Sequence, residues 1–193
     1  MVDLKKADAK KEFQKMWVAG TLGVYFTTLL RTLPVHLHQI SSTPDWVYTF
    51  DLFIRYGYLI WFLVYFFMSN LRIDPANLNE LSFDVIQSFV SLTALVFLDF
   101  VVPGTGIPLR EYWWAVTIAN LTIIIIASLA LFWFHDERLT PIRIAGIVLA
   151  LLSIVVAWLP ISALVALSLV GVSVIVLLIV LATFVSEIVG RMK

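Results

Sequence analysis

Cysteine is absent from the 193 residues. Disulfides, thiolate metal sites and cysteine nucleophiles are therefore excluded. Charge is also scarce. Asp, Glu, Lys and Arg make up 13% of the chain, about half the share usual in soluble domains. Basic and acidic residues balance at 13 each, so no basic excess points to nucleic acid. No Ser/His/Asp arrangement, glycine-rich phosphate loop or paired-acid motif stands out. No catalytic residue, cofactor or resident metal is assigned from the sequence.

What is present is apolar. Hydrophobic residues make up 61%, against about 45–50% in ordinary soluble domains, and mean hydropathy is +0.98. So few charges could not cover so much apolar surface in water. Lipid is the solvent that suits this composition. The fold class expected is all-α, a polytopic transmembrane helix bundle in a cell or inner membrane.

A helical span of hydrocarbon needs about 20 apolar residues. The sequence predicts six, at 16–33, 46–68, 83–102, 112–134, 142–159 and 162–189, in a single transmembrane domain over 16–189. Residues 1–15 carry Lys5, Lys6, Lys10, Lys11 and Lys15 and read as a cytoplasmic tail or a basic helix on an anionic leaflet. A basic start before an apolar run resembles a signal peptide, but no small-x-small site follows Leu33, so an uncleaved first span is expected. Ser82 is the expected N-cap of the third span. Residues 103–108, Pro-Gly-Thr-Gly-Ile-Pro, read as a turn, and Pro141 suits the first turn of the fifth span. Between Arg143 and Glu187 no charge occurs. One helix of that length would measure about 65 Å, twice a bilayer. The chain must turn back, and Trp158-Leu159-Pro160-Ile161-Ser162 is the one breaker-like place. Residues 190–193 form the far end.

Orientation follows from Lys and Arg in short loops. With the N-terminus inside, the inner side holds Lys5, Lys6, Lys10, Lys11, Lys15, Arg72, Arg138, Arg143, Arg191 and Lys193, against Arg110, Arg31 and Arg55 outside. This bias predicts both termini in the cytoplasm and an even number of spans. Trp46, Trp113, Trp114 and Trp158 then fall near the outer boundary, Trp17 and Trp133 near the inner one, as interfacial aromatics do.

Charges inside spans are the best pointers to function, because each costs about 2.5–3.5 kcal/mol at a helix centre. Asp51 and Arg55 sit one helical turn apart on the second span and can pair on one face. Asp99 lies near the outer end of the third span and Arg31 ends the first. Four charges of mixed sign thus share one depth, either as an outer vestibule for an ion or polar solute or as a self-neutralised cluster locking helices together. In the vestibule reading Asp51 or Asp99 binds or relays a cation and Arg55 sets its acidity. The third span also carries a polar stripe, Asp84, Gln87, Ser88, Ser91 and Asp99, whose helical spacing keeps it off lipid. It lines a solute path or supplies interhelical hydrogen bonds, and Asp84 alternatively favours its own helix N-terminus. Small residues mark packing faces, within the chain or between protomers: Ala19, Gly23 and Thr27 in the first span, Gly146, Ala150, Ser153 and Ala157 in the fifth, Gly171 in the sixth. His36-x-His38 with Asp45 is a weak metal-ligand grouping. His135, Asp136 and Glu137 read as a solvated inner corner. No lysine lies inside a span, which speaks against a Schiff-base site.

The region 132–149, Phe-Trp-Phe-His-Asp-Glu-Arg-Leu-Thr-Pro-Ile-Arg-Ile-Ala-Gly-Ile-Val-Leu, resembles a helix–loop–helix of the drug/metabolite transporter superfamily. There an apolar helix ends in Gly-Glu-Arg-Leu, followed by a proline and a helix with an early glycine. Glu137, Arg138, Leu139, Pro141 and Gly146 match, and Asp136 stands where the pattern has glycine. The first three spans look unlike that superfamily, and a sixth span departs from its five-helix half. The resemblance implies transport.

Function is expected to be that of a channel or transporter subunit for an ion or small solute, acting as an oligomer. The alternatives are a non-catalytic accessory subunit of a larger membrane complex and, third, a membrane-embedded enzyme. Expected partners are the lipid bilayer and copies of the chain or other membrane subunits. Asp51, Arg55, Asp99 and Arg31, with Gln87, Ser88 and Ser91 lining a path, are the candidate site residues.

Overall fold

A computed structural model of the chain describes residues 2–42, 46–70, 77–100, 109–134 and 136–191. Among them are six α-helices and no strand: α1 Val2–Ser42, α2 Trp46–Asn70, α3 Leu78–Phe100, α4 Leu109–Trp133, α5 Thr140–Trp158 and α6 Ala163–Arg191. Four contain stretches long and apolar enough to cross a membrane, Thr49–Asn70, Trp113–Trp133, Thr140–Trp158 and Leu164–Gly190. Among the described residues, no stretch of α1 or α3 meets that standard.

Two helices differ from their expected limits. α1 is continuous from Val2 to Ser42 with Pro34 inside, rather than a tail followed by a span ending at Leu33. Its first turns are Lys, Ala, Glu and Gln, strong helix formers, and Lys15 pairs with Glu12 at 2.7 Å across one turn. Lys15 holds the exposed Glu12 carboxyl below its ordinary value, by hydrogen bond and charge. Beyond Pro34 the helix persists although proline supplies no N–H. The second difference is the start of α3. Asn77, not Ser82, caps it: Asn77 Oδ1 accepts the Asn79 N–H at 3.0 Å and Asn77 Nδ2 donates to Glu80 at 2.9 Å.

The other boundaries follow local chemistry. Asp136 O accepts the N–H groups of Leu139 and Thr140 and the Thr140 hydroxyl, and Pro141 sits in the first turn of α5. The chain breaks again at 159–162 and α6 returns along α5. The turn expected at 103–108, together with His135, lies outside the described residues.

α4 packs on α3 and α5, and α6 on α2 and α5, while α1 lies more lightly on α2 and α3. The core is aromatic on α2, with Tyr58, Phe62, Tyr65 and Phe66 buried, and aliphatic opposite, at Ile123, Ile126, Val170, Val174 and Leu177. Tyr65 stacks between Trp61 and Phe184, at 4.9 and 5.0 Å. Two glycines bring α2 and α6 together. A Cβ at Gly57 would collide with Val174, and one at Gly171 would stand 2.6 Å from the Phe50 ring. Only a hydrogen fits at either place.

Candidate functional site

The polar stripe of α3 is enclosed. Asp84 and Ser88 are completely buried, and Gln87 and Ser91 nearly so. They form a seam with α1 and α2. Trp17 Nε1 donates to Ser88 Oγ at 2.8 Å, and Ser88 in turn donates to the Asp84 carbonyl at 2.8 Å. Ser91 donates to the Ser88 carbonyl at 3.0 Å, beside the buried Tyr25 hydroxyl of α1. On the neighbouring face the Ser69 hydroxyl of α2 exchanges bonds with the Gln87 amide at 2.9 and 2.7 Å. Polar groups therefore run for about two helical turns between three helices, bounded outward by aromatic rings such as Phe89 packed on Trp17.

Not every polar atom in this seam is satisfied. Among the described residues, no hydrogen bond of standard geometry reaches the Asp84 carboxylate oxygens, Asn70 Oδ1 or the Tyr25 hydroxyl, although Asn70 and Gln14 lie against Asp84 and Ser91 against Tyr25. Buried polar groups are paired in the great majority of cases, so this concentration singles out the seam. Asp84 is the seventh residue of α3, past the first turn, so the α3 N-terminus does not account for it.

Next to the seam lies a cavity of about 170 Å³ lined by Tyr65, Ser69, Glu80, Phe83, Ala130, Phe134, Arg143 and Phe184. Arg143 is buried there. Its Nη1 donates to the carbonyls of Ala130 at 3.1 Å and Phe134 at 2.9 Å, placing a cation on the C-terminal end of α4, where the helix dipole favours it. Ser69 belongs to both cavity and seam.

Asp51 and Arg55 pair as their spacing predicts. Arg55 Nε lies 2.9 Å from both Asp51 oxygens, with the residues 6% and 7% exposed. Arg31 is exposed on α1 and makes no ion pair among the described residues, and the side chain of Asp99 lies outside them. With its carboxylate held by Arg55, Asp51 is a closed pair rather than an open cation ligand. His36 Nδ1 meets the Tyr56 hydroxyl at 3.0 Å, Asp45 is outside the described residues, and no grouping of three metal-ligating side chains occurs among those described.

Of the small residues read as packing positions, Ala150 and Gly171 are buried at helix contacts. Gly146 is buried but has open space where a Cβ would stand, and Gly23 is exposed with nothing within 4 Å.

Sequence reasoning passed over a second polar contact. Asn120 Nδ2 donates to the Tyr58 hydroxyl at 2.6 Å and to Val116 O at 2.8 Å, and Ser153 is buried beside Tyr58. A lone amide in the middle of an apolar run was the available signal. Asn70, Glu80 and Gly57 were missed as well, because each matters through a neighbour distant in sequence.

The fold and the seam together define the class: an all-helical bundle with four helices of membrane-crossing length and character and a buried polar seam, compatible with an integral membrane protein. Comparison with protein-family models, curated proteins and solved structures finds no match.

Proposed function

We propose that the chain is a six-span membrane protein with both termini in the cytoplasm, serving as a channel or transporter subunit for an ion or small solute. The α1–α2–α3 seam carries this reading. Polar residues are costly within a bilayer and concentrate on solute paths and proton relays. Here a buried carboxylate, hydroxyls and amides line one enclosed column, with several atoms that no hydrogen bond of standard geometry reaches among the described residues. The cavity touching Ser69 supplies an entrance from the side that the excess of Lys and Arg assigns to the cytoplasm. α1 and α3, less apolar than the rest, complete their passage by hiding their polar faces against each other and α2. The helix–loop–helix resembling drug/metabolite transporters points the same way.

The test is flux through the purified chain in liposomes. Ser88→Leu and Ser91→Leu fill the seam and should lower flux at least tenfold while the size-exclusion profile is retained. Wild-type flux no greater than that of protein-free vesicles, or flux indifferent to both substitutions, overturns the reading. Tags on the two termini should report the same compartment.

One observation favours an accessory subunit instead. The outer side of α1 presents Gly20 and Gly23 with open space around each, which suits close approach of another helix. Stoichiometric copurification with other membrane chains, and no flux without them, would select that role.

A further inference from the structure

We infer that the cavity beside Ser69 and Arg143 binds a small zwitterion, a solute with one ammonium group, one carboxylate and an apolar side chain, as in an α-amino acid. The inference rests on the solute-path reading above and names the solute. Five helices converge on this chamber of about 170 Å³. Its wall takes Ser69 from the end of α2, Glu80 from the start of α3, Ala130 from the last turn of α4, Arg143 from the first turn of α5 and Phe184 from α6. It therefore lies at the end of the bundle that the excess of Lys and Arg assigns to the cytoplasm.

The lining holds one charge of each sign. Glu80 and Arg143 reach the chamber from different helices, each packed on α4. A net anion would meet Glu80 and a net cation Arg143, whereas a solute carrying both charges meets an opposite charge at each end. Both side chains also serve the fold. Arg143 Nη1 holds the carbonyls of Ala130 and Phe134, Glu80 accepts from Asn77, and each has a further interaction. A guanidinium has five N–H groups and a carboxylate about four lone-pair sites, so a few structural bonds orient such groups without using all their capacity.

The rest of the wall fixes which end goes where. Phe83 lies one turn after Glu80 and on the same face, and meets Phe134 edge to face at 4.9 Å. Ring faces attract cations, so the Glu80 corner suits the ammonium and the Arg143 corner the carboxylate. A narrower apolar space shares Tyr65, Arg143 and Phe184 with the chamber and continues along α5 past Gly146. Gly146 is buried, yet nothing lies within 4 Å of where its Cβ would stand. An aliphatic side chain on the carbon next to the carboxylate would enter this slot.

The experiment is equilibrium dialysis of radiolabelled leucine and glycine against the full chain in detergent. Isocaproate, which is leucine without its amine, and isoamylamine, which is leucine without its carboxylate, serve as competitors. Leucine should bind, and either competitor should be at least tenfold weaker, since each leaves one wall charge unmatched. Glu80→Gln should weaken leucine about tenfold and abolish its advantage over isocaproate. Gly146→Val fills the slot and should weaken leucine about tenfold while leaving glycine within about twofold, a split that a general loss of folding would not give. Should one variant not fold, the other decides. Absence of leucine binding in the wild type, isocaproate bound as tightly as leucine, or leucine binding unchanged in the variants that fold overturns the site. The two proposals fail separately. Leucine bound but not carried into liposomes keeps the site and sinks transport, and flux of sodium or potassium without leucine binding keeps transport and sinks the site.

Discussion

The α1–α3 side of the bundle and the α5–α6 hairpin bury themselves by opposite means. Two-thirds of the apolar stretch of α2 is enclosed, 67%, against 28% for α5 and 39% for α6. Around α2 the enclosed residues are aromatic and polar: Tyr58, Tyr65, Asp51, Arg55, and the α3 stripe. The hairpin buries chiefly small and aliphatic residues, Ala150, Ser153 and Ala157 on α5 and Val170, Val174 and Leu177 on α6, and exposes Leu151, Val155, Val172 and Ile179. Its outer faces are as apolar as lipid and gain nothing by hiding. The polar side has no such freedom, since every charge and amide needs a partner inside the protein. Specific interaction energy is therefore concentrated in the first three helices, and the last two act as a fitted apolar wall.

Substitutions can break that contrast, and the largest effect is expected at the buried ion pair. Arg55→Leu removes the ion-pair partner of the buried Asp51 and should cost about 3–5 kcal/mol in detergent unfolding. Replacing both residues by leucine should recover most of the loss. An Arg55→Leu protein as stable as the wild type would show the pair to be idle.

Next comes the junction of the two regions, where α2 meets α6. Gly57→Val forces a branched side chain into Val174 and should cost about 1–3 kcal/mol, relieved by Val174→Ala in the same chain. Gly23→Val, on the open side of α1, should be nearly neutral. Equal losses at both glycines would contradict the packing described.

The smallest effect sharpens the comparison. Tyr58→Phe removes the hydroxyl that meets Asn120 and should cost about 0.6 kcal/mol, the usual scale of interhelical hydrogen bonds in membranes. Ser173→Ala on α6 removes a hydroxyl bonded only to its own helix, at Leu169 O, and should cost less. The ratio of the two measured in one unfolding assay is the test.

Much of the architecture was legible. The reversal at 159–162 could be read from a charge-free run too long for one helix, and Pro141 and the turn before it are local signals that the structure repeats. The Asp51–Arg55 pair is an i, i+4 relation within one helix, so its geometry needed no partner. α1 was less legible, because Pro34 is a helix-stop signal and the helix nevertheless continues through it to Ser42. The seam was half legible. The stripe of Asp84, Gln87, Ser88 and Ser91 follows from spacing, but its enclosure by Trp17, Tyr25, Ser69 and Asn70 depends on which helices lie beside α3.

Local pattern alone determined the helices, the apolar character that fits them to lipid, and the contacts made within one helix, because these depend on residues a few positions apart. Tertiary structure decided which polar atoms find partners and which do not. Arg143 finds the end of α4, Asn120 finds Tyr58, and Asp84 comes to lie against Asn70 of α2 and Gln14 of α1, since a contact between helices depends on the placement of residues far apart in the chain.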